Sequence, residues 1–259
     1  MMRLRITFSK TGSLRYTGHL DLQTVWERTA RRAGLPLAYT QGFHPGPRIQ
    51  IASALPLGFA GHAEIVDIWV NDPAPVGAAL VAAHSSAPAE PPAQGDHEGR
   101  PYAEMSQPID NPTPYVELLQ PAAPPGLTIL SVKQVDEKGP ALQTQVASAE
   151  YLVTLLEPAT VPDLDQRISR LLATASLPRE RRGKPYDLRP LIEELALTPM
   201  LGASPTPPPP GEGQEVRLFM RLSAREAATG RPEEVLDVLG IPFETTRIER
   251  LRLILKDST

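Results

Sequence analysis

The chain has 259 residues, 41% of them hydrophobic, which is enough for one large domain or two small ones with apolar cores. It has no cysteine, so a disulfide framework, a cysteine-type zinc site and an iron–sulfur cluster held by its own residues are excluded. The formal net charge of −4 at pH 7 argues, taken alone, against a general binder of polyanions.

The first half of the chain alternates strand and helix patterns. Residues 4–8 alternate apolar and polar side chains, which predicts a half-buried strand. Residues 18–34 carry apolar side chains at three- and four-residue spacing and end at a glycine, which predicts an amphipathic helix. Strand patterns then occupy 37–41, 48–54 and 64–70, followed by a short helix at 73–84 and a strand at 126–135.

Proline is frequent and clustered. Of its 30 residues, ten lie between Ser85 and Pro125, and four form the run Pro207–Pro210. Such segments bury too little apolar surface to offset the entropy of ordering them. Residues 85–125 are therefore predicted to be extended or disordered, and residues 204–214 to form a loop.

The second half repeats the alternation of strand and helix patterns seen in the first. It predicts strands at 151–156, 215–223 and 243–255, helices at 161–175 and 231–239, and a strand or hairpin at 177–188, whereas 191–200 fits helix or strand. The order strand, helix, strand, strand, helix, strand is that of a ferredoxin-like split βαβ unit. The predicted fold is α+β, with two tandem ferredoxin-like domains at 1–138 and 139–259, antiparallel sheets and Pro-rich disordered insertions.

Positive charge is concentrated in two parts of the chain. Residues 1–50 hold eight Lys/Arg and two Asp/Glu, residues 51–150 hold three and twelve, and residues 167–189 hold seven and two. Charges separated in this way create local positive fields that the net charge conceals. The alternative is that the arginines cover helix faces and pair with the acidic middle of the chain.

The first candidate region is the loop 41–48, which reads QGFHPGPR. Glycine and proline around His44 make the loop stiff and bring backbone amides close to a partner, so that Arg48 and Lys10 could contact phosphate or carboxylate. The alternative is an ordinary turn between two strands with Arg48 in solvent.

Two histidines are weak catalytic candidates. His19 and His44 could act as an acid–base pair in metal-free RNA cleavage, or they are a helix-capping and a loop histidine. Asp21 could join them as metal ligands, but no second histidine follows either at four-residue spacing, so no metal site is predicted.

The second candidate region is 179–190, which reads RERRGKPYDLRP. Its cations and the aromatic Tyr186 suit contact with a phosphate backbone and a stacked base or sugar, and the alternative is a solvated β-hairpin. No Walker A, G-x-G-x-x-G or G-x-S-x-G element occurs in the sequence, so common nucleotide-dependent and hydrolase chemistries have no support.

These segments together resemble one bacterial family of unknown function, the radical-SAM-linked (radical-SAM-associated) proteins. The resemblance is carried by GHLDLQTVWERTARRAGLPLAYTQGFHPGPRIQIASALPLG (18–58), by residues 182–184 with 187–190, and by residues 230–236. Gly18 stands where relatives usually have serine, and Gly46 where many have a second histidine. Both departures argue against catalysis in this chain.

The resemblance implies a partner, because the family is encoded beside or fused behind a radical-SAM protein. We therefore expect a non-redox accessory protein with no cofactor of its own, the iron–sulfur cluster and SAM belonging to the partner. Genes for ribonucleases and ribosomal proteins lie near those of the family, and this association suggests RNA, either tRNA or rRNA, as the ligand. The expected binding residues form two surfaces: Lys10, Arg28, Arg31, Gln41, His44 and Arg48; and Arg181, Arg182, Lys184, Tyr186, Asp187 and Arg189.

Two alternatives remain open: an RNA-processing or RNA-modifying enzyme that uses His19 and His44, and a purely structural scaffold for the radical-SAM partner. The N-terminal MMRLRITF lacks the apolar region of a signal peptide, and no run approaches the roughly 18 apolar residues of a membrane span. A cytoplasmic location without membrane contact is expected.

Overall fold

The computed structural model describes residues 1–71, 113–157, 162–198 and 216–256, and within these ranges strands predominate over helices. The strands are β1 (Met2–Lys10), β2 (Ile49–Ile51), β3 (Ala60–Val70), β4 (Leu127–Val135), β5 (Val146–Leu155), β6 (Pro178–Arg181), β7 (Lys184–Asp187), β8 (Ile192–Thr198), β9 (Val216–Arg225), β10 (Ala228–Thr229) and β11 (Thr246–Leu255). The α-helices are α1 (His19–Arg32), α2 (Thr113–Leu119), α3 (Leu142–Gln145), α4 (Leu164–Ala173) and α5 (Pro232–Leu239).

Nine of these strands form one mixed sheet. Its order is β10-β9-β5-β11-β3-β1-β4, with β2 also paired to β3 and β8 to β9, while β6 and β7 form a separate hairpin. Among the described strands, the only parallel pairing joins β11 to β3, through Glu249–Ala60 and Arg250–Gly61. This short parallel contact connects two antiparallel halves.

The two halves have the same strand order. In the first half (β1–β4 with α1 and α2) the order is β4-β1-β3-β2, and in the second half (β5, β8, β9 and β11 with α4 and α5) it is β11-β5-β9-β8. Each half places one helix between its first and second strands and another between its third and fourth. The expected boundary at 138/139 falls between β4 and α3, and it stays a prediction.

Two clusters of buried apolar side chains form the core. The first packs α1 and α2 on the first half of the sheet, where Phe8 and Trp26 meet edge to face with ring centroids 4.9 Å apart. The second is centred on β5, β9, α4 and α5, and it also includes Leu55, Phe59 and Ile65 from the first half. The second core therefore spans the junction between the halves.

Most of the predicted elements are present. The structure confirms the strands expected near 4–8, 48–54, 64–70, 126–135, 151–156, 215–223 and 243–255. It also confirms the helices expected near 18–34, 161–175 and 231–239 and the hairpin at 177–188. The ambiguous segment 191–200 contains strand β8. The expected strand at 37–41 is wrong, because Leu37 and Tyr39 make only isolated bridges. The helix expected at 73–84 and the loop at 204–214 lie outside the described residues.

The extended or disordered state expected for 85–125 is wrong at its described end. Thr113–Leu119 is a helix, and Tyr115 and Leu119 are buried in the first core. Pro114 does not prevent this helix, because proline is tolerated in the first turn, where backbone N–H groups have no partner within the helix.

Strand β1 is buried on both faces rather than on one. Arg3 and Arg5 point away from the helices, yet they are 1% and 8% exposed. Both donate to the Asp67 carboxylate, at 2.8 and 2.9 Å, and Arg3 also donates to the carbonyls of Gly139 and Pro140, each at 3.0 Å. The segment after β4 thus covers a face that the alternating pattern had assigned to solvent.

Among the described helices, none combines the length and the apolar character that crossing a membrane requires.

Candidate functional site

Residues 37–48 form an irregular hairpin beside the end of β3, here called the 37–48 hairpin. The Ala38 N–H donates to a β3 carbonyl and the Arg48 N–H donates to the Ala38 carbonyl, both at 2.8 Å. Nearer the tip, the Thr40 N–H donates to the Gly46 carbonyl at 2.8 Å, and the Gly46 N–H donates to the Thr40 hydroxyl at 3.1 Å. These bonds fix the base of the hairpin and leave residues 41–45 as a short exposed tip.

The C-terminal end of α1 lies against this hairpin. Arg31 donates to the Tyr39 hydroxyl at 2.9 Å and pairs with the Glu27 carboxylate one turn earlier at 2.7 Å. Arg28 and Arg32 are exposed on the same last turns, and Arg28 stands three residues from Arg31, on a neighbouring part of the helix surface. The helix end therefore adds guanidinium groups beside the hairpin.

Arg48 is held on an aromatic ring. Its guanidinium carbon lies 4.6 Å from the centroid of Trp69, and that of the buried Arg3 lies 4.7 Å from the same ring. Such contacts attract a cation to the ring face. The ring thus positions Arg48 without neutralising its charge.

We call this region the basic hairpin surface. It consists of Arg28, Arg31, Tyr39, Gln41, Phe43, His44 and Arg48. Phe43 is fully exposed and Tyr39 is partly exposed. No Asp or Glu occurs from residue 28 to residue 63, so Glu27 is the carboxylate that the local chain brings to this surface.

Of the six residues expected on the first surface, Gln41 and His44 lie at the hairpin tip, and Arg28 and Arg31 lie on α1 on one side of the hairpin. Arg48 lies at the hairpin base on the other side, on the face of the sheet that holds Trp69 and Arg3. Lys10 is not near the hairpin, because it lies at the other end of β1 and is 1% exposed. Its ammonium donates to the Thr17 carbonyl at 2.7 Å, and burial lowers the pKa of Lys10. Lys10 is engaged within the fold and is not placed to contact a phosphate from outside.

The two candidate histidines lie at opposite ends of the first half. His19 begins α1, close to the Lys10 end of β1, whereas His44 lies at the tip of the hairpin that pairs with the opposite end of the sheet. A nine-residue strand spans about 26 Å at ~3.3 Å per residue, so the two rings are far beyond hydrogen-bond reach. Asp21, exposed in the first turn of α1, stays on the His19 side.

Within the described ranges, no three His, Asp or Glu side chains gather in a way that could hold a metal ion.

The second expected surface is largely used to hold the β6–β7 hairpin. Arg181 makes paired hydrogen bonds to the Glu234 carboxylate, at 2.6 and 2.7 Å, and its guanidinium lies 4.8 Å from the Tyr186 ring centroid. Arg189 donates to the carbonyls of Leu172 and Ile192 at 3.0 and 3.1 Å. These guanidiniums tie the hairpin to α4, α5 and β8.

Asp187 completes the attachment of this hairpin. Its carboxylate accepts the backbone N–H groups of Leu177 at 2.7 Å and Arg189 at 2.9 Å, and these bonds lower the pKa of Asp187. Only the turn presents cations to solvent, with Arg182 and Lys184 exposed beside Gly183. Both turn residues have positive φ, 53° for Arg182 and 76° for Gly183, as a tight two-residue hairpin requires.

A cleft of about 570 Å³ lies at the junction of the two halves. Its walls include the exposed apolar side chains of Tyr16, Leu57 and Phe243, together with the guanidiniums of Arg15 and Arg247. This cleft could not be predicted from the sequence, because its walls come from four segments that are far apart in the chain.

Sequence reasoning also missed Tyr39 and Phe43. A signal was present for Phe43, because a lone aromatic residue among Gly, Gln, His and Pro has no apolar neighbours in the chain with which to form a core.

Buried ion pairs account for several other arginines. Arg250 of β11 makes a bidentate pair with Glu64 of β3, and both are almost fully buried. Arg250 also donates to the carbonyls of Ser53 and Ala54, each at 3.1 Å. Arg3 and Arg5, from the basic N-terminal segment, likewise pair with Asp67, in agreement with the alternative that arginines pair with the acidic middle of the chain.

A family model described as an uncharacterized protein conserved in bacteria (DUF2344) matches residues 3–92 and 102–232. The chain belongs to this family. The matched part of this DUF2344 protein includes both the basic hairpin surface and the β6–β7 hairpin. The match does not link the DUF2344 family to radical-SAM proteins, and no curated protein matches the chain.

Proposed function

We propose that this DUF2344 protein is a non-redox accessory protein that binds RNA through the basic hairpin surface and presents it to a radical-SAM partner. The supporting observation is that guanidiniums flank the hairpin on both sides, Arg28 and Arg31 on α1 and Arg48 on Trp69, while the exposed Phe43 ring lies at its tip. Guanidiniums bind backbone phosphates and aromatic rings stack on bases, so this composition suits a nucleic acid.

We also propose that each half of the sheet is a ferredoxin-like unit. The order of strands and helices and the antiparallel strand order support this in both halves. By analogy with other ferredoxin-like folds, RNA would bind the open face of the sheet. In the first half this face is occupied by Arg3, Arg5 and Asp67, so the proposed contact lies at the end of the sheet.

The radical-SAM partner rests on the resemblance carried by residues 18–58 and on the lack of cysteine. A chain without thiolates needs another protein to hold an iron–sulfur cluster. The test is a pull-down with the full tagged chain from its native bacterium, with and without nuclease. A radical-SAM protein retained after nuclease supports direct docking, and its absence from both samples contradicts the partnership.

The RNA contact is tested by fluorescence anisotropy with a labelled RNA over a range of salt concentrations. Each neutralised phosphate of a single strand contributes about −0.7 to the slope of log affinity against log salt, so three guanidiniums predict about −2. Replacing Arg28, Arg31 and Arg48 together by glutamine is expected to remove most of this slope and of the affinity.

The matched control replaces Arg182 and Lys184, the exposed cations of the β6–β7 turn, by glutamine. This variant should bind RNA nearly as the wild type does. Affinity that does not change with salt, or an equal loss in both variants, would contradict the basic hairpin surface as the RNA site.

An RNA-processing activity of His19 and His44 is not proposed, because the structure separates these residues. A scaffold without RNA contact would be identified by a radical-SAM protein in the pull-down together with no measurable RNA affinity.

A further inference from the structure

Phe43 is fully exposed, which sets it apart from the phenylalanines of the cores, since Phe8 and Phe59 are buried. A single exposed apolar side chain is common on protein surfaces and needs no explanation by itself. Phe43 differs because it stands at the tip of a hydrogen-bonded hairpin whose base carries Arg31 on one side and Arg48 on the other.

The hairpin restricts where the ring can go. The hydrogen bonds between Thr40 and Gly46 and the bridge between Tyr39 and Pro47 close the loop below the tip. Gly42, directly before Phe43, has a φ of 140°, which favours glycine and allows the chain to turn there. Because the backbone on both sides of the tip is already fixed, binding through the ring orders fewer residues than binding through an open loop would.

The surroundings of the ring favour a charged partner with flat apolar faces. Arg31 and Arg48 lie at the base of the hairpin, and Gln41 and His44 flank Phe43 along the chain. An apolar protein pocket would pair poorly with this polar rim, because uncompensated polar groups would lose water. A nucleobase offers an apolar face, and its phosphates match the guanidiniums.

The proposal rests on the proposed function of the basic hairpin surface. We propose that the Phe43 ring stacks on an unpaired base of single-stranded RNA, while Arg31 and Arg48 contact the neighbouring phosphates. Bases within an A-form duplex are already stacked and lie in grooves that side chains enter poorly, so the ring engages only unpaired bases. The site thereby selects single strands over duplexes.

The experiment measures the affinity of the full chain for a short unstructured RNA and for the same strand in a perfect duplex, by anisotropy. The variants are Phe43→Ala, Phe43→Leu and Phe43→Trp. We expect Ala and Leu to weaken single-strand binding roughly 5- to 150-fold, the range of one stacked base, and to leave duplex binding unchanged. Trp should retain the single-strand affinity, because it keeps an aromatic face.

The salt dependence separates this inference from the proposed function. Phe43→Ala should keep the wild-type salt slope, since the phosphate contacts are still present. The control Phe243→Ala, at a partly exposed ring in the junction cleft, should bind RNA as the wild type does.

Three outcomes would overturn the inference and still leave salt-dependent RNA binding intact. The first is a Phe43→Leu variant with wild-type RNA affinity, and the second is an equal loss of affinity for single strand and duplex. The third is a Phe43→Ala variant that keeps its RNA affinity but loses a protein partner in the pull-down. Absence of salt-dependent binding to both RNAs would instead overturn the proposed function itself.

Discussion

Single arginines of this protein have one of two roles. Arg250 and Arg3 are buried beside Glu64 and Asp67, whereas Arg28 and Arg182 face solvent. A buried charge is tolerated only with a partner, because removing it from water is costly. Burial of Arg250 would lower its pKa, but the neighbouring Glu64 carboxylate more than offsets this and raises it. The buried guanidinium therefore stays charged.

Replacing Arg250 by methionine should destabilise the protein by about 3–5 kcal/mol, since Glu64 would remain buried without a partner. Urea unfolding followed by circular dichroism measures the effect. The double variant Arg250→Met, Glu64→Leu should recover part of the loss. The control Arg252→Met, at a side chain that is 60% exposed, should cost at most about 1 kcal/mol, because Glu150 keeps Arg221. An Arg250→Met variant as stable as the wild type would contradict the role of the pair.

Gly126, in the turn before β4, is a second residue on which the fold depends. Its φ is 88°, and a Cβ placed there would lie 2.5 Å from the Thr11 carbonyl oxygen. Gly126→Ala should therefore cost at least about 2 kcal/mol, more than strained backbone alone. Gly12 is the control, because it also has positive φ but has open space around it, and Gly12→Ala should cost about 1 kcal/mol. Equal losses of urea stability in the two variants would show that the close contact is relieved without cost.

Among the elements, the β6–β7 hairpin shows how a sequence pattern can mislead. Its cations suggested a nucleic-acid surface, but Arg181 binds Glu234, which is 53 residues further along the chain. A local sequence pattern cannot show which residues far along the chain will be its partners in the fold. By contrast, the hairpin itself was predictable, because Gly183 in a short polar turn between two strand-like runs is a local signal.

Acid should loosen this hairpin through Asp187. Two backbone N–H groups hold the pKa of its carboxylate below the ordinary value, so its stabilising effect is present above about pH 4, the unfolded value, and is lost as the pH falls through the folded pKa. In urea unfolding, the stability difference between wild type and Asp187→Asn should be present at pH 7 and should shrink as the pH falls below about 4.

The comparison for this pH series is Glu180→Gln, at an exposed position of β6 in the same hairpin. At pH 7 the free energy of unfolding of Glu180→Gln should differ less from that of the wild type than that of Asp187→Asn does. If the loss of stability caused by Asp187→Asn instead grew as the pH fell, the proposed stabilisation by the ionised Asp187 carboxylate would be wrong.

What could be predicted depended on the range of the interaction. Alternation and helical spacing are local, and they located α1, α4, α5 and most of the long strands. Burial of Arg3 and Arg5 could not be predicted, because it depends on Asp67 and on carbonyls more than 130 residues away. For the candidate site, the loop 41–48 was predictable from its composition, whereas the contact of Arg31 with Tyr39 required the fold.

At the scale of the whole molecule, the two halves share one sheet and part of one core. β11 pairs with β5 along its length and with β3 at Glu249 and Arg250, and Leu55 and Phe59 of the first half pack in the second core. We expect this arrangement to couple the stability of the halves, although each has its own antiparallel strand order.

We expect the halves to unfold together. Both tryptophans of the chain, Trp26 and Trp69, lie in the first half, so their fluorescence reports on that half alone, while far-ultraviolet circular dichroism reports on both. In urea the two signals should give the same midpoint, as a two-state transition requires. Separate midpoints would show that the β11–β3 junction does not couple the halves.

The position of β11 also has a consequence for the order of events on the ribosome. Synthesis delivers the N-terminal strands first, so Glu64 and the inner edge of β5 are made long before their partners at residues 246–255. A nascent chain halted before this strand would present a bare carboxylate in an apolar setting and an open edge in the middle of the future sheet. Chaperones and proteases recognise such features. Incomplete chains would therefore differ from complete ones in whether β11 has paired with β5 and β3.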